Sequence, residues 1–148
     1  MIDSDSGRGF RAMMWDDSYN VRIDSLDHQH RELLRMINEL DGALCAALPG
    51  IAAASNMKKL VRQFREHFRT EEHLFTKFAY PEGPLHSLQH DTFVRNLNDF
   101  QERLERGSLA FTQDITRFIG DWFVNHMTKI DMRYSEYLLT AMAGVKVR

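Results

Sequence analysis

Two pairs of side chains that commonly bind metals lie on either side of a short break in the middle of the chain. His67 and Glu71 are four residues apart, as are His86 and His90, and two prolines and a glycine fall between the pairs within residues 81–84. On a helix, a spacing of four puts both side chains of a pair on one face. Imidazole binds iron, copper, nickel and zinc, and a carboxylate can bridge two ions. The arrangement therefore predicts a metal site inside a helical bundle.

The composition is that of one globular domain. The 148 residues are 43% hydrophobic and 27% charged, with a net charge of −2, so no nucleic-acid partner and no anionic membrane surface is expected. No apolar run approaches the ~20 residues that span a bilayer, and no direct membrane insertion is predicted. Cys45 is the single cysteine, which excludes an internal disulfide, and the polar N-terminus is unlike a signal peptide. The predicted location is the cytoplasm.

Apolar residues recur at helical spacing in four stretches. They predict helices over about 25–46, 52–79, 85–106 and 113–131, with a short fifth segment over about 133–142 on the side of the bundle. These helices predict an all-α fold. Because the connections between them are short, the predicted architecture is an up-down-up-down four-helix bundle with an N-terminal loop and a short C-terminal helix.

The helix ends carry ordinary start and stop signals. Pro49 and Gly50 are predicted to end the first helix, Pro84 to begin the third, Gly107 to end it and Thr112 to cap the fourth.

The N-terminal region divides into two parts. Residues 1–14 are rich in Asp, Ser, Gly and Arg and are predicted to be a mobile tail, so that residues 15–148 form the domain. Residues 15–23 are predicted to form an ordered loop laid over the bundle.

Five of the seven histidines fall on the predicted apolar faces. They are His30, His67, His86, His90 and His126. The connections of an up-down bundle alternate between its ends, so these five side chains are expected at one end. One histidine on an apolar face is usually an ordinary core residue, but five at one level favour a metal centre. His28 and His73 lie about 200° around their helices from candidate ligands and are predicted to face solvent.

Three acidic residues near these histidines have different interpretations. Glu71 lies on a phenylalanine-rich stripe, where an unpaired carboxylate would be costly, so it needs a partner. Asp131 follows His126 by five residues and on an ideal helix would point away from it. Reaching the same site requires a wide turn or a loosened helix end, and the spacing alone favours a solvated aspartate. Glu72 is interpreted as a surface charge beside Glu71.

A series of short motifs runs along the chain from about residue 15 to 137. They are Trp15 with Tyr19-Asn20-Val21, Asp27-His28-Gln29-His30, His67-Phe68-Arg69-Thr70-Glu71-Glu72, Tyr80-Pro81, His86 with His90, and His126 through Asp131 to Tyr134. In these motifs the sequence resembles the bacteriohemerythrins, the single-domain prokaryotic branch of the hemerythrin family.

The resemblance implies a non-haem di-iron centre with an oxo or hydroxo bridge. The implied ligands are His30 and His67 for one iron, His86, His90 and His126 for the other, and Glu71 and Asp131 as bridging carboxylates. The family comparison, and not the helical spacing, assigns Asp131. Three imidazoles saturate one iron, whereas two leave the other with a free position at which dioxygen would bind reversibly.

An apolar wall around such a site would keep water and protons from bound dioxygen and slow autoxidation. The candidates neighbour the ligands by one residue or one turn: Leu33, Leu34, Phe68, Trp122 and Met127. Each is explained equally well as ordinary core.

The leading functional hypothesis is reversible dioxygen binding, for storage or for delivery to an oxygen-consuming enzyme, with no catalytic activity. Ferritin-like oxidation sites use a Glu-x-x-His motif, and here Leu74 stands three residues after Glu71. The alternative is an oxygen or redox sensor domain of a longer signalling protein, with a diguanylate cyclase or chemoreceptor as effector. A third hypothesis is a peroxidase or a nitric oxide scavenger.

Overall fold

The computed structural model describes residues 13–45, 50–107 and 113–144, and within these ranges all regular secondary structure is helical. The helices are α1 (Asp24–Leu44), α2 (Gly50–Lys77), α3 (Gly83–Glu105), α4 (Gln113–Asn125) and α5 (Met132–Met142). The predicted all-α bundle is confirmed. Within the same ranges, no helix combines the length and apolarity needed to cross a membrane.

Some of the predicted boundaries need correction or lie outside the described residues. Gly50 is the first residue of α2 and does not end α1, which stops at Leu44. Gly107 follows α3 with a φ of +66°, a conformation that glycine adopts without strain, as predicted for a terminator. Residues 1–12, Pro49 and Thr112 are outside the described ranges, so their predicted roles remain predictions.

The start of α1 lies beside the end of α2, as an antiparallel bundle requires. The rings of His30 and His67 are 4.5 Å apart between centroids, and those of Phe75 and His86, at the end of α2 and the start of α3, are 4.8 Å apart. In sequence order, α1 packs on α2, α2 on α3, and α4 on α1. The predicted topology therefore brings one end of each helix to a common level.

A tight connection joins α2 to α3. The backbone NH of Tyr80 donates to the carbonyl of Phe75 at 2.9 Å, and that of Gly83 donates to the carbonyl of Tyr80 at 3.0 Å. A Cβ atom at Gly83 would lie 3.1 Å from Cβ of Phe75, so the close approach of α3 to α2 favours glycine there. Pro84 is in the first turn of α3, one residue after the start.

The fourth helical segment of the bundle is longer than predicted. A π-helical turn, His126–Asp131, joins α4 to α5 without a loop. The predicted short C-terminal helix is confirmed as α5, and it continues directly from the π turn because residues 126–142 contain neither glycine nor proline to end the helix.

Two apolar clusters enclose a polar layer. The larger cluster includes Leu33, Ile37, Leu60, Phe64, Phe93, Leu97, Ile119 and Phe123. The smaller one consists of Val21, Ile23, Leu26, Phe75, Tyr80, Tyr134 and Leu138. On each helix, the candidate ligands fall in sequence between the residues of the two clusters or next to them. The polar layer is therefore enclosed by apolar packing along the bundle axis.

The N-terminal loop is held to the bundle at Val21. Its NH donates to Oδ1 of the buried Asp27 at 2.8 Å, and its carbonyl accepts from the hydroxyl of Ser135 on α5 at 2.7 Å. In the segment just before the loop, the NH and carbonyl of Met13 both bond to the side chain of Asn38, each at 2.8 Å. These bonds confirm the predicted ordered loop. The boundary between tail and domain remains a prediction.

Candidate metal centre

All seven predicted ligands are buried at one level of the bundle. Each is at most 3% exposed: His30 on α1, His67 and Glu71 on α2, His86 and His90 on α3, and His126 and Asp131 in the π turn. His28 and His73 are exposed, which confirms their predicted orientation. The seven side chains form two groups that could each hold a cation, within which the potential ligand atoms lie no more than 4.8 Å apart. One group is His30, His67, Glu71 and Asp131, and the other is His86, His90 and His126.

Each carboxylate contacts imidazoles of both groups. Oε1 of Glu71 is 3.1 Å from Nε2 of His67 and 3.3 Å from Nε2 of His90. The contacts of Asp131 are equally close: its Oδ2 is 3.1 Å from Nε2 of His30, and its Oδ1 is 3.1 Å from Nε2 of both His86 and His126. Both carboxylates are therefore placed where they could bridge two ions.

The π turn explains how Asp131 reaches the site. In an α-helix, residues five apart point in different directions, whereas the wider i→i+5 turn of a π helix brings them back to one face. His126 and Asp131 are the first and last residues of the π turn and both are buried. The prediction that Asp131 would need a wide turn is confirmed, and the interpretation as a solvated aspartate was wrong.

Several buried polar atoms at the centre have no hydrogen-bond partner among the described residues. They are both oxygens of Glu71 and of Asp131, both ring nitrogens of His30 and Nε2 of His90. In addition, Nε2 of His126 and Nε2 of His86 face each other at 3.0 Å. Buried lone pairs without partners are costly, and a cation between them would satisfy them. The residues present therefore fit a centre of one or two metal ions.

The electrostatics of the metal-free chain show how strongly these groups interact. Burial and the charge of Asp131 raise the pKa of Glu71, but the facing imidazoles of His67 and His90 outweigh both and hold it well below its usual value. Burial lowers the pKa of His90, but its contacts with Glu71 and Glu72 outweigh burial and raise it to about 9. Burial also lowers the pKa of His67, and for that ring it prevails. These opposing effects show that the imidazoles and the carboxylates of the buried layer interact strongly.

Two polar residues hold the rings of candidate ligands, and neither contact is predicted from the sequence. Oε1 of Gln29 lies 2.7 Å from Nδ1 of His67, and Oε2 of Glu72 lies 3.2 Å from Nδ1 of His90. The interpretation of Glu72 as a surface charge was wrong, since its carboxylate is half-buried against a candidate ligand. Ligand histidines generally donate their second NH to such a partner. That rule could have directed attention to polar neighbours of the ligands, but not to these particular pairs.

Aromatic rings surround the imidazoles. Phe68 stacks on His90 with 3.7 Å between centroids, and Trp122 stacks on His126 at 4.4 Å. The sequence analysis missed Phe123, which meets His30 edge-on at 5.6 Å. The other predicted wall residues, Leu33, Leu34 and Met127, are buried in the larger apolar cluster. Their role as a wall remains a prediction.

The fold and the site together define a class: a helical-bundle protein with a buried centre of imidazoles and carboxylates suited to cations. The family described as "Hemerythrin HHE cation binding domain" matches residues 21–138. The chain belongs to this family.

Individual relatives agree with this assignment. A bacteriohemerythrin of Methylococcus capsulatus is 29% identical over 127 residues, which cover 81% of this chain and 91% of the relative. A myohemerythrin of Riftia pachyptila is 32% identical, over 82% of this chain and 89% of the relative. A crystal structure of wild-type hemerythrin matches with a TM-score of 0.82 and 28% identity, covering 86% of this chain and 98% of that one.

Proposed function

We propose that this protein binds dioxygen reversibly at a non-haem di-iron centre, and that it stores the gas or delivers it to an oxygen-consuming enzyme. His30 and His67 would hold one iron, and His86, His90 and His126 would hold the other. Glu71 and Asp131, which contact imidazoles of both groups, would supply carboxylate ligands to both ions. The observation that carries the proposal is that each carboxylate lies 3.1–3.3 Å from imidazoles of both groups inside a fully buried layer.

The unequal division of imidazoles supports binding at one of the two irons. When bound, a ferrous pair can give two electrons to dioxygen and recover them on release. Two histidines leave their iron with fewer protein ligands than three do. His30 and His67 are at most 1% exposed, and the ring of Phe123 packs against His30. These side chains exclude water from the side of the centre with fewer ligands, which slows loss of the reduced state.

The imidazole-rich centre favours binding over oxidation of a substrate. Five neutral rings and two carboxylates supply less negative charge to stabilise high-valent iron than the glutamate-rich sites of ferritin-like bundles. We therefore propose a carrier or store and no enzymatic turnover.

Stopped-flow mixing of the reduced, iron-loaded protein with dioxygen tests the proposal. We expect charge-transfer bands to appear in proportion to the protein and to disappear when dioxygen is removed, over several cycles. Irreversible oxidation in the first cycle, or steady turnover of added peroxide, would instead favour the catalytic hypothesis.

Metal binding should release protons at neutral pH. His90 has a pKa of about 9 in the metal-free chain, so its ring is protonated at pH 7.5 and must lose that proton to become a ligand. Calorimetric titration with ferrous ion, without oxygen and in two buffers of different ionisation enthalpy, should show release of about one proton or more per chain. The contribution of His90 should disappear above about pH 10, where the free ring is already neutral.

Glu72→Gln is the matched variant for the proton measurement. It keeps the shape of the side chain but removes one of the charges that raise the pKa of His90. At pH 8.5 it should release fewer protons than the parent protein. Equal release by the two proteins at every pH would show that His90 does not titrate as a ligand.

A further inference from the structure

Two clefts on the described surface reach the three-histidine group. One, of about 440 Å³, is lined by His86, and the other, of about 450 Å³, is lined by His90. The second is named here the arginine cleft. Its lining residues are Arg65, Phe68, Arg69, Glu72, His90, Asp91, Val94 and Arg95.

The arginine cleft differs from its neighbour in charge. In the cleft at His86, the one guanidinium, that of Arg133, is paired with Glu82 at 3.5 Å. The arginine cleft has three guanidinium groups, and none of them forms an ion pair with any carboxylate that the structure describes. Arg65 donates to the neutral amide of Asn98 at 3.1 Å. The cleft also has two carboxylates: that of Glu72 is engaged by the imidazole of His90, and that of the exposed Asp91 leaves the three guanidinium groups in excess.

The positive charge extends along α2 beyond the cleft. Arg62 lies on the same helical face as Arg65 and Arg69, is exposed, and likewise has no ion pair among the described residues. At 1.5 Å per residue, Arg62 and Arg69 are about 10 Å apart along the helix axis. A line of unpaired cations on a chain with a net charge of −2 matches an extended acidic surface better than a single small anion.

The floor of the cleft leads directly to a candidate ligand. Phe68 is stacked on His90 with an interplanar angle of 7°, and Glu72 bonds to Nδ1 of the same ring. A redox centre held against the cleft is thus next to an imidazole that faces the proposed iron pair.

We propose that the arginine cleft is the docking site of an acidic one-electron carrier protein, which restores the reduced state after autoxidation. This inference rests on the proposed di-iron function. Each encounter oxidises one reduced carrier and reduces one ferric ion to ferrous, so two encounters regenerate the centre. The protons that balance the charge come from solvent. The arginines attract and orient the carrier, and the path through His90 passes the electron.

The test is stopped-flow reduction of the oxidised, iron-loaded protein by a reduced plant-type [2Fe–2S] ferredoxin, which has an acidic surface. Arg69→Glu/Arg95→Glu should lower the bimolecular rate constant by about tenfold or more at low salt, and the difference should shrink as the ionic strength rises. Arg103→Glu/Arg106→Glu makes the same change in net charge at the end of α3 away from His86 and His90, and should stay within about twofold of the parent protein.

Two further readouts separate docking from damage to the centre. Hexaammineruthenium(II), a cationic reductant, should reduce Arg69→Glu/Arg95→Glu at least as fast as the parent protein. Oxidised ferredoxin, titrated in an NMR experiment, should shift the amide signals of the arginine cleft in the parent protein only.

Three outcomes would overturn the proposal: equal slowing by the control pair, no dependence on salt, or shifts produced by inorganic phosphate but not by ferredoxin. A parent protein that holds no iron pair would instead refute the proposed function. That result is read from iron content before any carrier is added.

Discussion

Glu71→Ala is expected to abolish the iron pair. The iron content should fall from about two ions per chain to less than one, and the charge-transfer bands of the air-oxidised protein should disappear. The reason is that one oxygen of Glu71 contacts imidazoles of both groups, at 3.1 Å and 3.3 Å. Alanine removes a bridge and one of the two negative charges that neutralise the metals. Elemental analysis and absorption spectroscopy of the purified variant measure both effects.

His28→Ala and His73→Ala are the matched controls for this experiment. Both residues are exposed and lie two positions from a proposed ligand, so removing their rings should leave the iron content and the spectrum unchanged. Should either control lose its iron while Glu71→Ala keeps it, the assignment of ligands by helix face would be wrong.

Moving the carboxylate of Asp131 back by one residue is also expected to abolish iron binding. In the variant Ile130→Asp/Asp131→Ala, the new aspartate is four residues after His126, the spacing that serves His67 and Glu71 on an α-helix. The π turn instead directs position 130 away from the buried layer, and the side chain of Ile130 is accordingly only partly buried. The turn cannot simply revert to an α-helix, because Tyr134 and Leu138, both 0% exposed, would rotate out of the smaller apolar cluster.

Ile130→Ala controls for the lost side chain and should retain about two irons per chain. Circular dichroism should show similar helix content in the double variant, the control and the parent protein. Full iron occupancy in the double variant would mean that the segment is α-helical in solution and that Asp131 reaches the site by another route.

Much of the fold is readable from local sequence. The stripe that contains Leu33, Ile37 and Leu40 on α1 repeats at helical spacing, and these residues are fully buried. The five candidate histidines stand out because imidazoles occupy positions where that periodicity calls for apolar side chains. Short connections then determine which helix ends meet. The position of the site along the bundle axis therefore follows from the topology as well as from the apolar periodicity.

The parts that sequence reasoning missed depend on contacts between helices. Glu72 has the spacing of a surface residue on α2, and only the approach of α3 brings it within 3.2 Å of the ring of His90. Gln29 similarly meets His67 across the interface of α1 and α2. No residue type marks a π turn, so the geometry at Asp131 became visible only in three dimensions. The resemblance to hemerythrins named Asp131 as a candidate ligand, and the π turn explains how its side chain enters the buried layer.

The proposed function requires two metal ions in one buried layer, and anomalous X-ray diffraction at the iron edge measures this most directly. We predict two peaks per chain, one beside His30 and His67 and the other beside His86, His90 and His126, with Glu71 and Asp131 between them. A single peak, a peak outside this layer, or no anomalous signal from protein purified with iron would contradict it.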